Sequence, residues 1–220
     1  MTIRGAARAG DAGTDLRGAG RGMLVVLASL AFMIGTGWYL ADLVRHTAVP
    51  APAAVTPVIE TASLLELVDH RGGTVQPRAL DKPALVVFFG YSYCPDICPM
   101  ELATMAAALE RLGPAAEHVG AFFVSVDPER DTPAQLADYV PYFHPRITGL
   151  TGTAEAVARV AGAFRAYYAR VELDDGHHTV DHFARTLVLD RAGRLAAAIP
   201  FASPPDELVE AIRPLLEDRS

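Results

Sequence analysis

The feature that most constrains this chain is a pair of cysteines three residues apart, wedged between two apolar segments of different period. Cys94 and Cys98 are the only cysteines in 220 residues, and they lie in the run YSYCPDICPMEL, residues 91–102. Ala84 to Phe89 (ALVVFF) is unbroken apolar sequence of strand length, whereas Leu102, Met105, Leu109 and Leu112 recur with helical spacing. Strand, short loop and helix is the expected order. Pro99 suits a first helical turn, where its missing N–H leaves nothing unsatisfied. This places Cys98 at the N-cap and Cys94 in the loop before it. Both sulfurs then face the positive end of a helix dipole, which favours thiolate over thiol. Two thiolates in one loop either close a disulfide or hold a soft metal ion.

The remaining pattern extends this unit into a domain. Leu64–Val68 and Arg71–Val75 read as a hairpin turning at Gly72-Gly73. Val119 to Val126 is a second buried strand. Thr132-Pro133-Ala134-Gln135 has the N-cap, N1 proline and capping-box glutamine of a helix start, continued by Leu136, Val140 and Phe143. A short strand at Ile147–Leu150 precedes a helix over 154–167. Arg185–Asp190 and Arg194–Ile199 flank an Arg-Ala-Gly turn as a second hairpin, and Ser203-Pro204 opens a last helix. The expected class is α/β, a thioredoxin-like mixed sheet flanked by helices and preceded by an N-terminal transmembrane helix.

Residues 23–41 carry no formal charge, and about 20 apolar residues suffice to cross a bilayer. Trp38 and Tyr39 stand at the far end, where amphipathic rings prefer the interface. Four arginines (4, 8, 17 and 21) precede the run and only Arg45 follows closely. The positive-inside rule keeps the N-terminus cytoplasmic and sends the rest across. The run exceeds the ~7–15 residues of a signal-peptide core, which favours an uncleaved anchor. The expected organisation is a leader over 1–22, an anchor over 23–41, a Pro/Ala linker over 42–57 and the domain over 58–220. Net charge is −7; residues 1–46 hold five Arg against three Asp, so the rest carries −9. Such an acidic domain does not bind nucleic acid by neutralising phosphates.

Three residues between the cysteines, rather than the two of thioredoxin-type reductases, widen the loop and make room for a metal between the sulfurs. Thiolates select copper over magnesium or calcium, and two of them leave Cu(I) one ligand short of a trigonal site that an imidazole completes. Seven histidines are present. His46 lies beside the anchor; His70, His118 and His144 fall in hairpin, loop or helix-end positions that suit solvated roles; His177 and His178 lie in an acidic surface loop. On spacing alone His182, just before the strand of the C-terminal hairpin, is a structural residue or a ligand. Asp96, between the cysteines, suits a turn better than a ligand role. Asp127 and Asp131 suit a strand end and a helix start.

The run C-P-D-I-C-P after an aromatic-glycine strand end resembles the copper-binding motif of the Sco/SenC family, thioredoxin-fold factors in cytochrome c oxidase assembly. Ser125 to Thr132 (SVDPERDT) and Gly149 to Thr153 (GLTGT) resemble that family's internal motifs. Val180-Asp181-His182, followed by an apolar strand and D-x-x-G, is similar to the segment that supplies its copper-ligating histidine. These motifs span about residues 60–218. The resemblance implies one copper, Cu(I) or Cu(II), held by Cys94, Cys98 and His182. It also implies a domain outside the cytoplasm of a bacterium, anchored in the inner membrane. The implied partners are oxidase subunit II, other copper chaperones and thiol reductants. The alternative is a thiol–disulfide oxidoreductase that uses the Cys94/Cys98 pair and dispenses with His182; a third reading is a redox or copper sensor.

Overall fold

The computed structural model describes residues 27–40, 42, 58–174 and 176–217. The chain divides into two units, Met1–Ala54 and Val55–Ser220. In the first, residues 27–40 form helix α1, with Phe32, Met33, Ile34 and Trp38 exposed. Among the described residues, no helix is long and apolar enough to cross a membrane. Residues 23–26 and 41 lie outside the described residues, as do the leader and residues 43–57 of the linker.

The second unit is built, in chain order, from β1 (Val68–Asp69), α2 (Pro77–Leu80), β2 (Ala84–Gly90), α3 (Ile97–Leu112), β3 (Val119–Ser125), α4 (Pro133–Tyr139), β4 (Ile147–Thr151), α5 (Ala154–Ala163), β5 (Tyr168–Glu172), β6 (His178–His182), β7 (Arg185–Asp190), β8 (Leu195–Pro200) and α6 (Pro205–Glu217). Six strands form one mixed sheet in the order β1-β4-β3-β2-β7-β8. β2, β3 and β4 run parallel, while β7, β8 and β1 are antiparallel to their neighbours. The expected α/β mixed sheet with packed helices is therefore present. Every residue of β2 and β3 is buried, so both faces of the sheet centre are covered, as their unbroken apolar runs require. Phe88, Phe89, Phe122 and Phe123 fill that centre.

Several expectations need correction. Of Leu64–Val68 only Val68 lies in a strand: Thr61–Glu66 forms a 3₁₀ helix, because Leu64 and Leu67 are both buried and three apart, a helical spacing. The turn through Gly72 (φ 82°) closes back by a single bridge from Val68 to Thr74, and β1 pairs with β4 instead. α3 starts at Ile97, so Cys98 lies inside the first turn rather than at the N-cap. Thr132 does cap α4, its Oγ1 accepting from the Gln135 N–H at 3.2 Å. The Gln135 side chain does not close the capping box but donates to Ser92 Oγ at 3.4 Å.

β5 and β6 form an unexpected two-stranded antiparallel ribbon, separate from the main sheet. Only Val180 of its strands is buried, so the period-2 apolar signal that reveals strands is missing there. The β7–β8 turn needs its glycine: Gly193 has φ 77°, and a Cβ on it would lie 2.3 Å from the Ile59 carbonyl oxygen.

Candidate metal centre

Cys94 and Cys98 are both free cysteines, not joined in a disulfide, at the junction of β2 and α3. The first turn of α3 leaves backbone N–H groups without intrahelical partners. Asp96, at the N-cap, makes no side-chain cap. The sulfur of Cys94 takes that place, accepting from the Cys98 N–H at 3.5 Å. The Cys94 N–H in turn donates to the Tyr91 carbonyl at 3.2 Å. The C-P-D-I-C spacing thus wraps one tight turn around the Cys94 sulfur, while Cys98 points into the core and is fully buried.

The pair shares one proton. Cys94 is held far below the usual thiol range, at about 3, first by the hydrogen bond from the Cys98 thiol and then, against the cost of burial, by His182 and the Cys98 and Asp96 N–H groups. The same hydrogen bond and its own burial push Cys98 upward, so the proton resides there. Cys94 is the thiolate and Cys98 the thiol. Iodoacetamide is therefore expected to modify Cys94 and spare Cys98 in the native reduced protein, at a rate nearly flat between about pH 5 and 8. The thiolate is lost only as pH falls through about 3. Peptide mapping checks the site; a rate rising about tenfold per pH unit across that window, as for an ordinary thiol, would refute the assignment.

His182, the last residue of β6, lies over this loop with its Nε2 3.4 Å from the Cys98 sulfur. Its Nδ1 is 3.4 Å from the Phe183 carbonyl. When a metal is bound, a proton on Nδ1 donated to that oxygen would leave the Nε2 lone pair for the ion. Phe88 and Tyr91 meet the imidazole edge to face, each with ring centroids 5.9 Å from it. The Sγ atoms of Cys94 and Cys98 and a ring nitrogen of His182 all lie within 4.8 Å of one another. Some point is then within about 2.8 Å of all three, against ~2.3 Å for metal–sulfur and ~2.0 Å for metal–imidazole bonds. A small inward closure suffices. Two thiolate sulfurs and one imidazole suit copper, and a trigonal set of His and Cys is a familiar copper geometry. Among the described residues no other group of three or more His, Cys, Asp or Glu is placed to hold a metal. A cleft of about 320 Å³ leads to the site, walled by Pro95, Ile97, Val180 and Asp181.

Asp131 is fully buried and accepts from the Ser92 N–H at 3.0 Å, the Ser92 hydroxyl and the Ser125 hydroxyl, tying the cysteine loop to β3. Burial raises its carboxyl above the ordinary range against those hydrogen bonds. Asp127 pairs with Arg130 and accepts from His178 Nε2–H at 3.3 Å. Arg130 stacks over Tyr91 and Tyr93, with centroid distances of 5.7 and 4.8 Å. His178 is therefore a packed partner of Asp127 and not a surface residue. His70 is likewise buried, its Nδ1 accepting from the Gly149 N–H at 3.0 Å. Asp96 is exposed, and His46 lies outside the described residues.

Two buried residues beside the site escaped the sequence reading. Glu101 is 1% exposed and accepts from the Thr186 hydroxyl at 2.6 Å. Burial raises its carboxyl, and the Thr186 bond offsets only part of that. Tyr91 and Thr179 share a hydroxyl–hydroxyl bond of 2.7 Å. The signal for Glu101 was present: it lies one position before Leu102 and four before Met105, on the stripe that α3 buries.

The family model described as SCO1/SenC matches residues 56–217. A SCO2-like protein of Rickettsia conorii is 30% identical over 197 residues, 87% of this chain and 96% of that one. Protein SenC of Rhodobacter capsulatus is 41% identical over 125 residues, 56% of each chain. Among solved structures, Bradyrhizobium japonicum ScoI with copper bound matches with a TM-score of 0.64 at 34% identity, over 74% of this chain and 99% of that one. Yeast Sco1 with copper bound matches with a TM-score of 0.62 at 30% identity, over 70% and 87%.

Proposed function

This chain belongs to the SCO1/SenC family, and from that premise we propose that it binds copper and assists assembly of the dinuclear copper centre on subunit II of cytochrome c oxidase. One copper ion is held by Cys94, Cys98 and His182. The observation that carries this reading is the convergence of two sulfurs and one imidazole nitrogen within 4.8 Å, at a cleft open to a partner. The ion is cargo. Cys94, at the mouth of the loop and already a thiolate, meets incoming copper without having to lose a proton. Cys98 gives up its proton as it ligates, and His182 closes the set.

The domain works outside the cytoplasm, held to a bacterial inner membrane by residues 23–41 with the N-terminus cytoplasmic, and lifted off it by the linker over 42–57. What supports the anchor is the uncharged run, the arginines before it and the exposed apolar side chains of α1. Other copper chaperones and thiol reductants are its expected suppliers.

A second reading is favoured by the shared proton of the cysteine pair. Cys94 thiolate attacks a disulfide of the oxidase subunit or another exported protein, and Cys98 resolves the mixed disulfide. The substrate leaves with two thiols, one proton coming from Cys98 and the second from solvent, and this chain keeps a Cys94–Cys98 disulfide. Anaerobic titration of the reduced full-length chain with copper separates the readings. One equivalent bound, with a thiolate–Cu(II) charge-transfer band lost in His182→Ala and in Cys94→Ala, is expected. Binding indifferent to His182, with efficient reduction of a disulfide substrate, would transfer the assignment to the oxidoreductase.

A further inference from the structure

The cysteines and His182 lie in different supersecondary units. β6, which ends at His182, pairs only with β5, in a ribbon separate from the main sheet. Among the described strands, β6 itself is in no ladder with the main sheet; the nearest one is that of β7, where Thr186 stands opposite Phe88 of β2. Two side-chain hydrogen bonds add to that ladder, one on each side of His182. Tyr91, before the cysteines, is bonded to Thr179, before His182, at 2.7 Å. Glu101, after the cysteines, accepts from Thr186, after His182, at 2.6 Å. One segment holds both sulfurs between its two pinned residues; the other holds the imidazole between its own. Tyr91, Glu101 and Thr186 are 3%, 1% and 0% exposed, so neither bond is freely exchanged for water. Arg130, donating from Nη1 to the His178 carbonyl at 3.1 Å, reaches only the start of the ribbon.

We propose that Tyr91–Thr179 and Glu101–Thr186 form a two-point clamp that sets the reach of His182 to the two sulfurs. The four are positioning residues and touch no metal. The inference rests on the copper reading above and adds a consequence: the clamp governs Cu(II) far more than Cu(I). Soft Cu(I) is held by two thiolates alone, whereas Cu(II) depends on the imidazole. Loosening the clamp therefore weakens Cu(II) selectively.

The test is competitive titration of Cu(I) and Cu(II) into the full-length chain and its Thr186→Val, Tyr91→Phe, Thr186→Val/Tyr91→Phe and Thr186→Ser variants. Thr186→Val keeps the shape and removes the donor, Tyr91→Phe keeps the ring against His182, and Thr186→Ser keeps the hydroxyl. Each of the first two is expected to weaken Cu(II) about tenfold, the usual effect of removing a partner outside the ligand set. The double variant is expected to weaken it further, with the charge-transfer band shifted or lost. Cu(I) affinity stays within about threefold, and Thr186→Ser restores Cu(II). Unchanged Cu(II) affinity in the double variant would overturn the clamp. So would equal losses of Cu(I) and Cu(II), which mark general loosening. An unaltered chain that binds neither ion would overturn the copper reading, and the clamp with it.

Discussion

Cys98→Ala is expected to abolish tight copper binding and, at the same time, to turn Cys94 into a more ordinary thiol. Cys98 contributes one of three candidate donor atoms, and it is fully buried, so no solvent ligand replaces it without opening the core. A complete protein ligand set contributes roughly 10–16 kcal/mol to a structural metal. Removing one of the two thiolates that hold Cu(I) costs at least a third of such a set, about 4 kcal/mol or more, a loss of at least about a thousandfold. Competition against a Cu(I) chelator measures it. The second effect follows from the cause of the Cys94 shift, whose largest contribution is the hydrogen bond from the Cys98 thiol. Without that donor Cys94 titrates higher, so its alkylation rate rises with pH through a range where the native rate is flat. Retained tight binding in Cys98→Ala would break the three-ligand assignment. Loss of copper with the alkylation profile unchanged would instead break the shared-proton account.

The central architecture was legible because its signals are local. β2 and β3 are unbroken apolar runs, buried on both faces, and Leu102, Met105, Leu109 and Leu112 all lie on the buried stripe of α3. Where the reading failed, long-range pairing overrode the local pattern. Gly72-Gly73 does form a turn, but β1 finds its partner in β4, some 80 residues on. The β5-β6 ribbon has one buried strand residue and thus no apolar period, yet it carries His182. Spacing could not bring His182 to the cysteines; only motif likeness suggested it, and in the structure its Nε2 lies 3.4 Å from the Cys98 sulfur. The roles of Thr179 and Thr186 were invisible for a related reason. Each hydroxyl finds its partner 85 or more residues away in sequence.

Asp131 shows how the fold and the site share residues. Its position before a capped helix suits Asp in any protein. Its carboxylate, however, binds both the N–H and the hydroxyl of Ser92, two residues before Cys94. The helix start is thereby also the anchor of the cysteine loop. Gln135, expected to close a capping box, adds a weaker hold on the same Ser92 hydroxyl. Local capping signals were read correctly as helix starts, but their second use depends on which strand end they face.

Gly90→Ala should couple the fold to the site most directly. Gly90 ends β2, in register with Ser125 of β3. A Cβ there would lie 2.7 Å from the Cys98 sulfur and 2.8 Å from Phe123 Cε2. Phe123 is fully buried in the sheet centre and does not withdraw, and the backbone of Cys98 is fixed in the first turn of α3, which leaves only its sulfur to turn. Overpacking of this kind costs about 1–3 kcal/mol. For a domain of this size that lowers Tm by roughly 2–10 °C. Of the two blocked neighbours the sulfur sits at the end of a single χ1 rotation, so it yields first and turns off the line to His182. Copper affinity is therefore expected to fall more than stability does, and excess copper to recover little of the lost Tm. Thermal unfolding with and without one equivalent of copper reads both quantities. A Tm within a degree of the unaltered chain, with copper still bound tightly, would mean that the sulfur has room to move and that the packing under the loop does not set the site.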